Sequence, residues 1–206
     1  MKVGPKYKIC RRLGADIYEK CQTQKYMLSE SKKSKTTQKG KRRRMLSDYG
    51  KQLLEKQKVR LTYGLSEKQF KNLVKEAMSK KGREAAEVLF ENLESRLDNT
   101  VYKLGFAKTR RMARQMVSHG HIMVNNRKVT IPSMRLKKGD KLSIREGSQQ
   151  KSFFLDLEEK MKDIPTVPSW IKFSLAKKEA LIQGSPKLDQ SQSLLDLKTV
   201  VEFYSK

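Results

Sequence analysis

From Thr109 to Val129 basic and apolar residues follow one another in an order that a helix and then a hairpin would satisfy. Thr109 is a favourable N-cap, and Met112, Ala113, Met116 and Val117 recur at the spacing that gathers them on one side of a helix. The opposite side holds Arg110, Arg111, Arg114, Gln115 and Ser118, a face suited to phosphate. Gly120 can end the helix in the left-handed conformation, after which Ile122 and Val124 alternate with His121, Met123 and Asn125 as a half-buried strand would. Asn125-Asn126 suits a two-residue turn, because asparagine tolerates positive φ better than other non-glycine residues. Arg127 and Lys128 leave the turn, Val129 and Ile131 continue the strand, and Lys137-Lys138-Gly139-Asp140 leads into Leu142-Ser143-Ile144. The pattern predicts two short helices against a small antiparallel sheet, with cations on a helix and at a hairpin tip.

Charge decides what such a face would meet. The chain carries +25 over 206 residues, far more than solubility requires, so a polyanion is the expected partner. No apolar run approaches the ~20 residues that span a bilayer, and no membrane partner is expected. Residues 1–46 hold 15 Lys and Arg against 3 Asp and Glu, a net of +12, whereas residues 147–206 hold 9 against 8. The first two-thirds of the chain is therefore made for the polyanion, and the last part for structure. Cys10 and Cys21 are too few and too far apart for a disulfide framework and fit a reducing compartment. Residues 1–13 are basic without an apolar core, so no secretory signal is read there.

Residues 1–45 show little periodicity and end in Lys39-Gly40-Lys41-Arg42-Arg43-Arg44, which predicts an extended basic arm ordered by its partner. From Ser47 the pattern turns helical. Tyr49, Leu53, Leu54 and Leu61 can line a helix that Gly64 stops, and Ser66 with Gln69 has capping-box spacing before Phe70, Leu73, Val74, Ala77 and Met78. A third helix begins near Arg83 with Ala85, Val88, Leu89, Leu93 and Leu97 inward, and the three predict a small bundle. Its polar sides carry Lys51, Lys56, Lys58, Arg60, Lys68, Lys71 and Lys75. After Gly147 a helix through Phe153, Leu157 and Met161 is expected. Leu194 to Tyr204 reads as a return to the bundle.

Arg96-Leu97-Asp98-Asn99, Ala113-Arg114-Gln115, Val117, His119-Gly120-His121-Ile122 and Val124-Asn125 together resemble the RNA-binding module named after small-subunit ribosomal protein four. Ser47-Asp48-Tyr49-Gly50, Glu55-Lys56-Gln57-Lys58, Tyr63-Gly64 and Val201-Glu202-Phe203-Tyr204-Ser205-Lys206 extend the resemblance to that ribosomal protein family over nearly the whole chain. It is weakest at residues 22–45 and 185–196, and it makes Pro168 to Phe173 the entry into further strands of the same sheet. The resemblance implies an α+β fold. A basic arm over 1–45 precedes a helical domain over 46–92, which is closed by 188–206, and an S4-type RNA-binding domain spans 93–187.

The implied function is a structural constituent of the small ribosomal subunit, a primary binder of 16S-type rRNA that nucleates assembly of the subunit body and contributes to translational accuracy. The implied partners are the five-prime domain junction of small-subunit rRNA, small-subunit ribosomal protein five and other small-subunit proteins, and messenger RNA near its entry path. The implied location is the ribosome of a bacterial cytoplasm or a plastid stroma. The RNA-binding candidates are Arg11, Arg12, Arg42, Arg43, Arg44, Lys56, Lys58, Arg60, Arg96, Arg110, Arg111, Arg114, Gln115, His119, His121, Asn125, Arg127 and Lys128. Among the helical domain's cations Lys56, Lys58 and Arg60 are preferred, because they lie within the family-like motif.

Catalytic readings carry less. Pseudouridine synthases use an aspartate in a similar Arg-Leu-Asp string, but there it belongs to a separate, larger domain; here Asp98 is read as capping or bridging a helix junction, with Arg96 facing RNA. His119 and His121 are split by Gly120 and lack a neighbouring cluster of metal ligands. Some bacterial relatives bind zinc through four cysteines in the first segment, whereas two thiolates without a nearby histidine cannot close a tetrahedral site, so no metal or other cofactor is expected. No phosphate-binding glycine loop, activated nucleophile or paired carboxylates point to an enzyme. The alternatives are an RNA-modifying enzyme carrying the same module and a free-standing translational regulator.

Overall fold

The computed structural model describes residues 4–37, 46–151, 154, 167–174, 178–188 and 195–205, with only the backbone over 33–37. The chain divides into two compact units, Met1–Ala86 with Ser191–Lys206, and Glu87–Gln190.

The first unit corrects the expectation of an extended coil arm. Helix α1 spans Lys6–Leu13, a single 3-10 turn covers Glu19–Gln22 and α2 spans Gln24–Thr37. Gly14 at φ 63° ends α1 with its N–H on the Cys10 carbonyl side of the turn. Buried Cys10, Cys21 and Tyr26 form a small core with Tyr7, Ile17 and Tyr18 packed around them. These apolar residues are shared among three short elements, so none of them repeats often enough to leave a helical period in the sequence. The segment around Arg42, Arg43 and Arg44 lies outside the described residues.

Helices α3 (Asp48–Thr62) and α4 (Glu67–Ser79) follow. Ser47 caps α3, and Ser66 and Gln69 form the expected capping box. The expected three-helix bundle has a different third member. The C-terminal helix α9 (Leu197–Ser205) packs on α3 and α4, while α5 (Ala85–Glu94) belongs from Glu87 onward to the second unit. Aromatic contacts join α9 to the other two helices, Tyr49 to Phe203 at 5.6 Å and Phe70 to Tyr204 at 6.1 Å between ring centroids.

Glu67 holds this corner together. Its Oε1 accepts hydrogen bonds from Lys56 Nζ at 2.8 Å and from the Tyr204 hydroxyl at 2.7 Å, and its Oε2 lies 3.3 Å from Arg60 Nε. Burial alone would raise the Glu67 carboxyl. The hydrogen bonds from Lys56 and Tyr204 and the charges of Lys56 and Arg60 outweigh it and hold the group below its ordinary value. A depressed carboxylate contributes stability above its unfolded pKa and loses it as pH falls through the folded value. Chemical unfolding of wild type and Glu67→Gln should therefore differ most at neutral pH, and the difference should shrink steadily below about pH 4.5. A gap that widened on acidification would contradict this assignment.

In the second unit α6 (Leu97–Lys103) and α7 (Arg110–Ser118) pack against each other and against a five-stranded antiparallel sheet ordered β2-β1-β3-β5-β4. The strands are β1 (Ile122–Val124), β2 (Arg127–Lys128), β3 (Lys141–Ile144), β4 (Ile171–Ser174) and β5 (Glu179–Ile182). Leu97 and Val101 of α6 with Leu104 just after it, Ala113, Met116 and Val117 of α7, and Ile122, Val124, Leu142 and Ile144 of the sheet make the core. Phe106 meets Phe154 edge-on at 6.4 Å and Phe173 at 5.8 Å.

Asn125 and Asn126 sit at φ 50° and 62°, the two positive values that a tight hairpin turn of this kind needs. Strand β2 stops at Lys128, so the expected continuation through Ile131 is corrected. Ile131 is exposed, and the chain leaves the sheet to strap the α5–α6 corner: Leu97 N–H donates to Met134 O, Asp98 N–H to Pro132 O and Leu136 N–H to Ser95 O. The helix after the sheet, α8, spans only Glu146–Gln149, and residues 155–166 lie outside the described residues. Strands β4 and β5 join the same sheet, as the family resemblance at Pro168 to Phe173 implies.

Candidate nucleic-acid interface

Helix α7 begins where Thr109 Oγ1 accepts the Met112 N–H at 3.0 Å, and its apolar residues turn Ala113, Met116 and Val117 into the core. That rotation exposes Arg111, Gln115, Ser118 and His119. Arg111, Gln115 and His119 are four residues apart in turn and so lie along one line of the helix surface. Arg127 and Lys128 are exposed at the neighbouring hairpin. Lys128 reaches back over Gly120, its methylenes occupying the place a Cβ there would take, which brings its ammonium to the C-terminal end of α7.

Beneath this face lies a polar network that fixes the remaining arginines. Asp98, 3% exposed, accepts from Arg96 Nε at 3.0 Å and Arg96 Nη2 at 2.9 Å. It also accepts from Arg114 Nε at 2.9 Å and Arg114 Nη2 at 2.7 Å. Asp98 bridges as expected, but Arg96 does not face outward. It is 5% exposed and spends its guanidinium on Asp98, so the expectation of Arg96 on the outer surface is corrected. A guanidinium this buried has to be paired, and the nearest carboxylate is two residues away. Arg114 keeps about a third of its side chain exposed and can offer its outer edge. Arg110 donates from Nε to Asn99 Oδ1 at 2.9 Å and lies 4.4 Å over the Tyr102 ring, while Asn99 in turn donates to Glu94 Oε2 at 3.0 Å. Glu94, Asn99 and Tyr102 are supports that sequence reasoning missed; the spacing of Asn99 to Arg110 across two helices gives no local signal.

His121 is half-buried, with Nδ1 3.0 Å from Ser148 Oγ and its ring 6.0 Å from that of His119. Burial first, and then the charges of Lys151, His119, Arg145 and Lys128, hold its imidazole below the ordinary value. Arg145 and Lys151 therefore belong to the cationic surroundings, though neither stands out in the sequence. Asn125 uses its side chain within the fold, donating to Asp140 Oδ1 at 2.8 Å and accepting the Lys141 N–H at 2.9 Å.

In the first unit, Arg12 is exposed and Arg11 is half-buried beside Glu30, Ser29 and the Tyr26 ring. Lys56, Lys58 and Arg60 were expected on the outward side of the bundle, and the structure turns them inward. Lys56 is 7% exposed, on Glu67 and 4.8 Å over the Phe203 ring. Lys58 pairs with Glu55, and Arg60 with Gln57 and Glu67. Each faces a carboxylate, Lys56 and Arg60 sharing Glu67, which offsets part of the cost of burying a cation. Cys10 and Cys21 are both thiols, and burial followed by a hydrogen bond with Cys10 pushes Cys21 up to about 12. Tyr7, Ile17 and Tyr18 pack around them, and among the described residues no group of three or more His, Cys, Asp or Glu could hold a metal ion, so the surroundings do not fit a tetrahedral zinc.

Two family profiles match the chain, "Ribosomal protein S4/S9 N-terminal domain" over residues 2–94 and "S4 domain" over residues 95–142. Among curated proteins it is 42% identical over 207 residues to small ribosomal subunit protein uS4 of Herpetosiphon aurantiacus, covering 98% of both chains. It is 41% identical over 204 residues to that of Chromobacterium violaceum, covering 99% of this chain and 98% of the relative. Thermotoga maritima provides a further relative, 41% identical over 207 residues with 98% of each chain covered.

Proposed function

Since the chain belongs to the small ribosomal subunit protein uS4 family, we infer that it is a structural constituent of the small ribosomal subunit that binds the subunit's rRNA, with a non-enzymatic role. The observation that carries the mechanism is the outer line of α7 with the hairpin cations, because those groups are exposed while the arginines beneath them are held by Asp98 and Asn99. Arginine forks and lysines neutralise backbone phosphates, and the protein reads the shape of folded RNA, since the deep groove of an A-form helix hides its bases.

The finer reading follows the family resemblance. The chain is a primary binder at the helix junction of the five-prime domain of 16S-type rRNA, so that it nucleates the subunit body. It contacts small-subunit ribosomal protein five, influences decoding accuracy and lies near the messenger RNA entry path. Its place is a bacterial-type ribosome, in bacterial cytoplasm or plastid stroma.

Affinity for the five-prime domain of small-subunit rRNA, measured beside an unrelated folded RNA of equal length across a salt series, tests the reading. A preference of orders of magnitude at physiological salt is expected. Equal affinities with equal salt slopes would reduce the +25 charge to generic polycation behaviour and overturn the proposal.

A further inference from the structure

Helix α4 turns Phe70, Leu73, Val74 and Ala77 into the first unit and leaves Lys68, Lys71, Asn72 and Lys75 exposed on the opposite side. At 100° per residue the three lysines fall within about 60° of the helix circumference, and they span about 10 Å along the axis. None of the three lysines has an ion-pair partner among the described residues. The carboxylate that begins the helix, Glu67, is committed to Lys56, Arg60 and Tyr204. Helix α3 treats its cations differently: Lys51 pairs with Asp48, Lys58 with Glu55 and Lys56 with Glu67. A face that merely meets water mixes both signs, and neighbouring like charges at i,i+3 and i,i+4 work against the helix that carries them.

We infer that the outer face of α4, through Lys68, Lys71 and Lys75, is a second rRNA-binding surface, and that it takes backbone phosphates independently of the α7 and hairpin face. The inference rests on the rRNA-binding reading above. It moves the first unit's contact with RNA away from Lys56, Lys58 and Arg60, which the fold already engages with Glu67 and Glu55. Single-sign ammonium groups at helical spacing recognise charge density and carry no base code, so this surface adds affinity and orientation.

The test uses the full chain and naked five-prime-domain rRNA. Binding is measured across a salt series for wild type, Lys71→Gln, and the triple variant Lys68→Gln/Lys71→Gln/Lys75→Gln, with helix content checked by circular dichroism. Each lost phosphate contact lowers the slope of log K against log salt by about 0.7–0.9, so the triple variant should lose about 2–3 units and Lys71→Gln about one. The three lysines should also be shielded from an acylating reagent when the rRNA is bound. An unchanged slope in both variants overturns the inference while leaving the α7 face in place. Shielding seen only in assembled subunits, with no slope change on naked RNA, would make a protein the occupant and overturns it as well. Absence of any wild-type preference for this rRNA overturns the parent reading and this one together.

Discussion

Asp98→Ala is expected to destabilise the second unit by about 3–5 kcal/mol, because it removes the one carboxylate that two guanidinium groups share and leaves Arg96 buried without its partner. In a unit of this size the melting transition should fall by more than about 10 °C. Asp98→Asn should cost less, since its carbonyl oxygen still accepts one of the bonds although the charge is gone. A second variant separates stability from positioning. Arg96→Met/Asp98→Leu replaces the buried pair with apolar volume, which is often neutral for stability, and so should recover most of the loss. Its rRNA affinity should stay below wild type, because Arg114 then lacks the carboxylate that accepts from its Nε and Nη2. If Asp98→Ala melts within a degree or two of wild type, the shared carboxylate is not what supports α7. If the double variant recovers both stability and affinity, Arg114 needs no positioning by Asp98.

The same residues mark where the sequence was informative. Local signals were legible because each is made within a few positions: Thr109 capping Met112, Ser66 and Gln69 closing a capping box, Asn125-Asn126 at positive φ and Gly120 at φ 71°. The helical stripe of α7 was equally plain, and with it the exposure of Arg111 and Gln115. What could not be read was the direction in which a motif arginine or lysine points when its partner is remote. The family-like motif points Lys56 toward RNA, yet its surroundings include Tyr204, and Tyr204 reaches Glu67 across 137 positions of sequence. Arg114 meets Asp98 only because α6 and α7 pack together, 16 positions apart. The first helices escaped notice for another reason. Their core of Cys10, Cys21 and Tyr26 is assembled from three elements, and a window over any one of them sees too few core residues to show a period. Ile131 misled because alternation is blind to a strap that leaves the sheet at Lys128 to satisfy the backbone of Leu97 and Asp98.

These placements decide which substitutions report on RNA rather than on folding. Reversing Arg110 and Arg114 would confuse the two, since Arg110 ties Asn99 and Tyr102 and Arg114 ties Asp98. Arg111, Arg127 and Lys128 are exposed, and none has an ion-pair partner among the described residues. The triple variant Arg111→Glu/Arg127→Glu/Lys128→Glu should therefore keep its melting temperature apart from the few degrees that the Lys128 ammonium contributes at the C-terminal end of α7. Losing three phosphate contacts costs on the order of 100-fold in rRNA affinity at physiological salt, and reversing the charges adds repulsion beyond that. The salt slope should fall by about 2–3 units, while the unrelated folded RNA, held by charge alone, should lose affinity without any change in preference to lose. A loss of less than about 3-fold, with the slope intact, would mean that phosphates do not meet the α7 and hairpin face. A large loss accompanied by a melting temperature lowered by more than those few degrees would instead return these side chains to the structural network, alongside Arg96.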